Sequence, residues 1–316
     1  MKSKRLLGCS FPVLIILTFI IFGLIILGLL AGPIGKSFGV SLPSWMTLHE
    51  PEIKLPAEVV FHIFGFPVTN TLLGTWLTIV VLVLLCWGAT RKCKLIPGKL
   101  QNVIEYILEY LYNFCKNVAG EKYGRMFFPL VATIFLMVIT NAWLSLLPIF
   151  GPIMVHTHEG EVHLLRGANT DINMPLAMAL VSFFTVEIFG LKTHGIKYLS
   201  KFINVGPLYT SLKQISRGKI KSGFSGLITG FINLFVGAIE AISEFARIIS
   251  LTLRLFGNMT AGEILLLIIT FLVPFIVVDV FYVLELLIGF VQAFIFSGLT
   301  LVFLTMAVVS HDSEHN

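Results

Sequence analysis

The long apolar runs of this chain are interrupted by side chains that carry charge: Glu187, Glu240, Glu244, Arg247, Arg254, Glu263 and Glu285. The chemistry open to them divides in two. A carboxyl group in apolar surroundings is neutral or ionised according to its water and its neighbours, so the glutamates are candidates for taking up a proton and passing it on. A guanidinium does not shed its proton, so Arg254 can supply only a fixed positive potential. Each such group costs about 2.5–3.5 kcal/mol at the centre of a membrane helix. They must therefore face one another, water or a partner. Titratable acids around a fixed cation are the ingredients of a barrier between two aqueous access routes, which is the chemistry of ion translocation.

Helical spacing shows how they could be arranged. At about 100° per residue, Glu240, Glu244, Arg247, Arg254 and Asn258 fall on one stripe about 80° wide. Glu263 lies about 140° from Glu240 on the same count, so it needs a different neighbour unless Gly257 or Gly262 bends the helix. Glu285 and Gln292 are seven residues apart and share a face. Arg247 can pair with Glu244 one turn away, which leaves a structural cluster of Glu240, Glu244 and Arg247 as the competing reading. Arg254 has no acidic residue three or four positions away. Its counter-charge has to come from another helix or another subunit.

The elements that carry these residues follow from composition. The chain has 316 residues, 56% hydrophobic and only 12% charged, with a mean hydropathy of +0.93. Soluble domains carry roughly 25% charged residues, so this surface must face lipid, and the expected fold is an all-α polytopic membrane protein. Spans are expected at 11–31, 71–90, 127–150 and 173–191, with further apolar material at 226–270 and 276–310. Residues 1–32 form an N-terminal transmembrane helix or a signal-like segment. Residues 33–68, with five prolines, are expected to be extracytoplasmic, and 69–316 to form the membrane domain. Threading the spans from an inside N-terminus puts most of the 22 lysines and arginines on one side, so both termini are expected in the cytoplasm. The net charge of +5 is then topological, and no nucleic acid is implied.

The last two runs are too long for simple spans. A helix over 231–271 would measure roughly 60 Å and one over 276–310 roughly 50 Å, against about 30 Å of hydrocarbon. They are either steeply tilted or broken, with the turn between them at Phe271-Leu272-Val273-Pro274.

The run 249–263, Ile-Ser-Leu-Thr-Leu-Arg-Leu-Phe-Gly-Asn-Met-Thr-Ala-Gly-Glu, closely resembles the signature of subunit a of bacterial F-type ATP synthases. Gln292-Ala293-Phe294-Ile295-Phe296 is similar to that family's last helix, and Asn169-Thr170-Asp171-Ile172-Asn173 to the opening of an earlier one. Phe64-Gly65-Phe66-Pro67-Val68-Thr69-Asn70-Thr71 resembles the family's entry into an early span.

The resemblance implies a stator subunit of the membrane sector, with a long tilted C-terminal helix hairpin set against a rotating ring of c subunits. Arg254 matches the essential arginine that faces the ring carboxylates. Glu240, Asn258, Glu263 and Gln292 match polar positions lining two aqueous half-channels. Glu285 matches a position that is acidic or histidine in different members, and Glu244 joins the proton-path candidates. Asp171 and Asn173 either line that path or cap their helix. Partners implied are the c ring, peripheral stalk subunit b, the soluble catalytic head through the stalk, and the bilayer of the cell inner membrane. No cofactor and no metal are expected, and the chain is not an enzyme by itself. The N-terminal helix is a departure from the family, as is Ser145, near a place where some members carry an acid. The alternative is a self-contained secondary ion transporter, although no inverted repeat is evident. A lone polytopic enzyme would need a catalytic constellation in its loops.

Other signals are weaker. His156, His158, Glu159, Glu161 and His163 read as a solvated loop in preference to a metal site. Glu105 and Glu109 read as the solvated face of an amphipathic segment over 100–117. Cys9, Cys86, Cys93 and Cys115 have no metal or redox spacing and are expected to be packing residues.

Overall fold

The structure, a computed structural model, describes residues 5–6, 9–39, 56–91, 97–148, 150, 153–157, 160–202, 211 and 220–309. Lys2, Lys4, Lys54, Lys92, Lys94, Cys93, His158, Glu159, Lys213, Arg217 and Lys219 lie outside the described residues. The chain is helical: α1 is Phe11–Ala31, α2 Pro33–Ser37, α3 Asn70–Thr90, α4 Lys99–Ser145, α5 Asn173–His194, α6 Ile220–Leu272 and α7 Ile276–Val309. Three antiparallel two-stranded ribbons are the only sheets among the described residues: β1 (Arg5–Leu6) with β2 (Cys9–Ser10), β3 (Val59–Ile63) with β4 (Phe66–Thr69), and β5 (Met154–Thr157) with β6 (Gly160–His163). Short 3-10 turns at Ala168–Thr170 and Gly195–Lys201 flank α5. Five of the described helices (α3, α4, α5, α6 and α7) are long and apolar enough to cross a membrane. Their outward faces are apolar, as lipid requires. On α3, for example, Ile79, Val83, Leu84 and Trp87 are all exposed.

The excess length of the last two runs is kept as continuous helix. α6 has 53 residues and α7 has 34, so at about 1.5 Å per residue they measure roughly 80 and 50 Å. The break comes where the sequence places it. Val273 and Pro274 end α6, Phe275 takes φ 75°, and the Val278 amide returns to the Phe275 carbonyl at 3.0 Å. The third span differs from expectation. The amphipathic segment and the span join as one element, α4, with a break at Gly120, whose φ of 76° and ψ of 172° suit glycine alone. That span stops at Ser145 rather than 150, because Leu146-Leu147-Pro148 turns away.

The chain divides into two compact units. The first takes Met1–Thr75, Asn141–Thr170 and Gly257–Val291. Packing here depends on close backbone approach, because lipid tails leave little hydrophobic drive between membrane helices. Gly28 of α1 and Gly32, just after its end, press on the carbonyls of Pro274 and Leu272, where any side chain would collide. The Trp143 indole donates to the Leu286 carbonyl at 3.1 Å, and Gly289 lies against Ala142. The buried Asn141 amide oxygen accepts from the Asn169 backbone N–H at 3.2 Å, so its role here is to pack a helix against a loop.

The second unit takes Trp76–Thr140, Asp171–Phe256 and Gln292–Asn316. Its core joins α4, α5 and α7 through Cys115, Ala119, Phe127, Val131, Val186, Leu301 and Leu304. The Ser182 hydroxyl donates to the Thr300 hydroxyl at 2.9 Å inside it, a contact worth about 0.6 kcal/mol between membrane helices. The His194 ring meets the Val308 carbonyl at 3.1 Å.

Candidate functional site

In the second unit the acids of α6 meet a lysine that follows α5. Lys201 Nζ lies 2.7 Å from Glu240 Oε1 and 3.0 Å from Glu244 Oε1. Arg247 Nη1 lies 2.7 Å from Glu244 Oε2 one turn along the helix, and its guanidinium sits 3.9 Å over the Phe303 ring. Two cations and two carboxylates thus form one neutral cluster. Gly237 makes the approach possible, since it takes the Phe202 carbonyl where a side chain would stand. Burial opposes the charge on Lys201, but the two carboxylates outweigh it and hold the ammonium above the usual lysine range. Glu187 of α5 borders the cluster, its carboxyl against the Tyr198 hydroxyl. Tyr198 is buried, and its ring fills the space left by Gly190. Burial and then the Glu187 charge push that phenol up.

Arg254 is different. It is exposed on α6, and among the described residues it has no ion-pair partner. The surface around it is apolar or small: Phe245, Ile249 and Leu253 are exposed, as are Ser243, Ala246 and Ser250. Arg254 is a permanent cation near the middle of an apolar helix, and no acid among the described residues pairs with it. The stripe read from spacing is therefore divided. Glu240, Glu244 and Arg247 are committed to Lys201 or to each other, while Arg254 is open. Gln292 of α7 is buried in this unit. Asp171 Oδ1 accepts from the Asn173 backbone N–H at 3.1 Å and from its side chain at 3.0 Å, so Asp171 serves an N–H at the start of α5.

In the first unit Asn258 is exposed. Glu263, off the stripe, has the separate neighbour that its angle demands: Arg166 Nη2 to Glu263 Oε2 is 3.0 Å. Glu285 of α7 is buried with its carboxylate against Gly262, and among the described residues it has no ion-pair partner. Sequence reasoning counted Arg166 and Lys201 only as loop charges that set sidedness. The signal that could have found them is charge balance: acids within apolar runs at 240, 244 and 263 require cations, and the loops beside the spans hold them. In the β5–β6 ribbon His156 Nδ1 lies 3.6 Å from Glu161, both well exposed. No group of three or more potential metal ligands occurs among the described residues.

A family model described as the ATP synthase A chain matches residues 72–305. The chain belongs to this family. The match runs from the first turn of α3 to near the end of α7, takes in every site residue above, and leaves α1 outside. Relatives of the ATP synthase A chain family agree along most of their length. The ATP synthase subunit a of Geotalea daltonii is 33% identical over 230 residues, 73% of this chain and 83% of that protein. That of Gloeobacter violaceus is 31% identical over 246 residues, 78% and 86% of the two chains. Subunit a 3 of Pelobacter propionicus is 34% identical over 230 residues, 73% and 83%.

Proposed function

We propose that this chain is the proton-translocating stator subunit of the membrane sector of an ATP synthase, multi-pass in the cell membrane with both termini in the cytoplasm. It provides two aqueous half-channels and exchanges protons with carboxylates on a ring of c subunits. The exposed, unpaired Arg254 on its apolar face carries this reading. A ring carboxylate arriving there is favoured in its ionised form by the guanidinium, which also bars direct passage between the two routes. Protonated through one half-channel, the carboxylate becomes neutral and can turn through lipid. A potential of about 100 mV contributes about 2.3 kcal/mol for each charge moved.

The polar residues divide between the routes by unit. Asn258, Glu263 and Glu285 border the extracytoplasmic route. Glu240 and Glu244 border the cytoplasmic one, where Lys201 and Arg247 keep their charge balanced. Gln292, Asp171 and Asn173 complete the polar lining. Peripheral stalk subunit b holds the chain against the ring and, through it, the catalytic head. The sequence holds no nucleotide loop of its own, so chemistry on ATP belongs to that head. Replacing Arg254 by Gln in the assembled complex tests this: ATP-driven pumping should cease while assembly continues. Ion transport by the isolated chain would instead favour a self-contained transporter.

A further inference from the structure

The Arg166 guanidinium grips one carboxylate and also reaches a backbone carbonyl. Its Nε donates to Glu263 Oε1 at 3.0 Å and Oε2 at 3.1 Å, and its Nη2 to Oε2 at 3.0 Å. Nη1 turns the other way and donates to the Pro56 carbonyl at 3.2 Å. The Arg166 side chain is only 11% exposed. Gly74, in the first turns of α3, presses on the Arg166 carbonyl where any side chain would collide. One residue therefore ties the chain before β3, the first turns of α3, the loop before α5, and α6. All four belong to the first unit. The planar fork is what fits a carboxylate edge and leaves a donor over, and a lysine cannot reproduce it.

Glu285 makes the contrast. Its carboxylate rests against Gly262, the residue next to Glu263 in the chain, yet it has no ion-pair partner among the described residues. Two acids are thus in one neighbourhood, one fixed by a cation and one not. Glu263 is paired with Arg166 from the loop, and Glu285 from α7 lies against the preceding residue, Gly262.

We infer that Arg166 is a positioning residue of the extracytoplasmic half-channel: it fixes Glu263 as a standing negative charge, so that Glu263 attracts protons without carrying them and Glu285 passes them on. This rests on the translocation reading above. It accounts for a bidentate grip on an acid that a relay would need free to bind and release its proton. It also assigns a function to an arginine whose only sequence signal is its place in a loop.

The test uses the intact complex in proteoliposomes, with ATP-driven pumping and ATP synthesis measured while the pH on the extracytoplasmic side is varied. In R166Q, Glu263 becomes a lone, half-buried acid. Both rates should fall by about ten-fold and acquire a further dependence on external pH, beyond that of the parent. In R166Q/E263Q the unmatched acid is gone, so the new pH dependence should vanish and the rates should recover part of the loss, remaining below the parent because the attracting charge is gone too. A purely structural tie would lower the yield of complex without creating that pH dependence. If R166Q does not assemble, R166K is read in its place: it keeps the charge and loses the fork, and should pump more slowly. Parental rates and pH dependence in R166Q, a double variant no better than the worse single one, or parental rates in R166K would each overturn the inference. R254Q, measured alongside, separates the two claims. Pumping by R254Q defeats the translocation reading itself, whereas a silent R254Q beside an unaffected Arg166 series defeats only this inference.

Discussion

The carboxylate of Glu285 occupies the space in which a side chain on Gly262 would begin. At this point α6 and α7 meet through an ionisable group. The glycine there answers to that approach and not to the helix, since in a helix interior it costs about 1 kcal/mol relative to alanine.

Gly262→Ala should accordingly favour the helix and yet slow the complex. The new methyl displaces the Glu285 carboxylate, and proton pumping is expected to fall by about ten-fold. Shortening the acid, in G262A/E285D, should recover part of the loss. Pumping assays on complexes of equal subunit content check both, and a parental rate in G262A alone would refute the contact's importance.

Glu285→Gln keeps the size and hydrogen bonding of the side chain and removes its titration. The expected result is a large loss of proton flux with little loss of assembled complex. A complex that fails to assemble would make Glu285 structural.

Lys201 should matter for stability, with a sign fixed by its pairing. Lys201→Ala leaves Glu240 and the buried Glu244 short of a cation. With Lys201 partly exposed, the cost is about 1–3 kcal/mol, read as a lower temperature at which the purified complex loses this subunit. Because pairing raises the Lys201 value, its contribution is complete below the ordinary lysine range and is lost as pH rises through the raised value. Lys201→Arg remains charged there. The K201R complex should withstand alkaline pH better than the parent, and equal alkaline sensitivity would contradict the assignment.

What the sequence made legible was what depends on one helix at a time. Apolar length placed α1, α3, α5, α6 and α7 within a few residues, but the excess length of the last two left tilted and broken helices open, and the fold keeps them unbroken. Angular arithmetic separated Glu263 from the stripe and paired Arg247 with Glu244. The break at Gly120 could not be read, because a glycine with positive φ inside a long helical pattern leaves no periodic trace. Nor could the partners be read. Arg166 and Glu263 are 97 residues apart, Lys201 and Glu244 43 apart, and in each case the cation belongs to a loop where basic residues report sidedness equally well. Family resemblance supplied roles for the matched positions and was silent about Lys201, Arg166 and Tyr198, which the fold brings to them.

The most direct measurement is ATP-driven proton pumping by complexes carrying Arg254→Gln, beside parental complexes with the same subunit content. An open guanidinium that receives a rotor carboxylate predicts no coupled pumping above background, while ATP hydrolysis by the detached head is preserved. Coupled pumping near the parental rate would contradict the account.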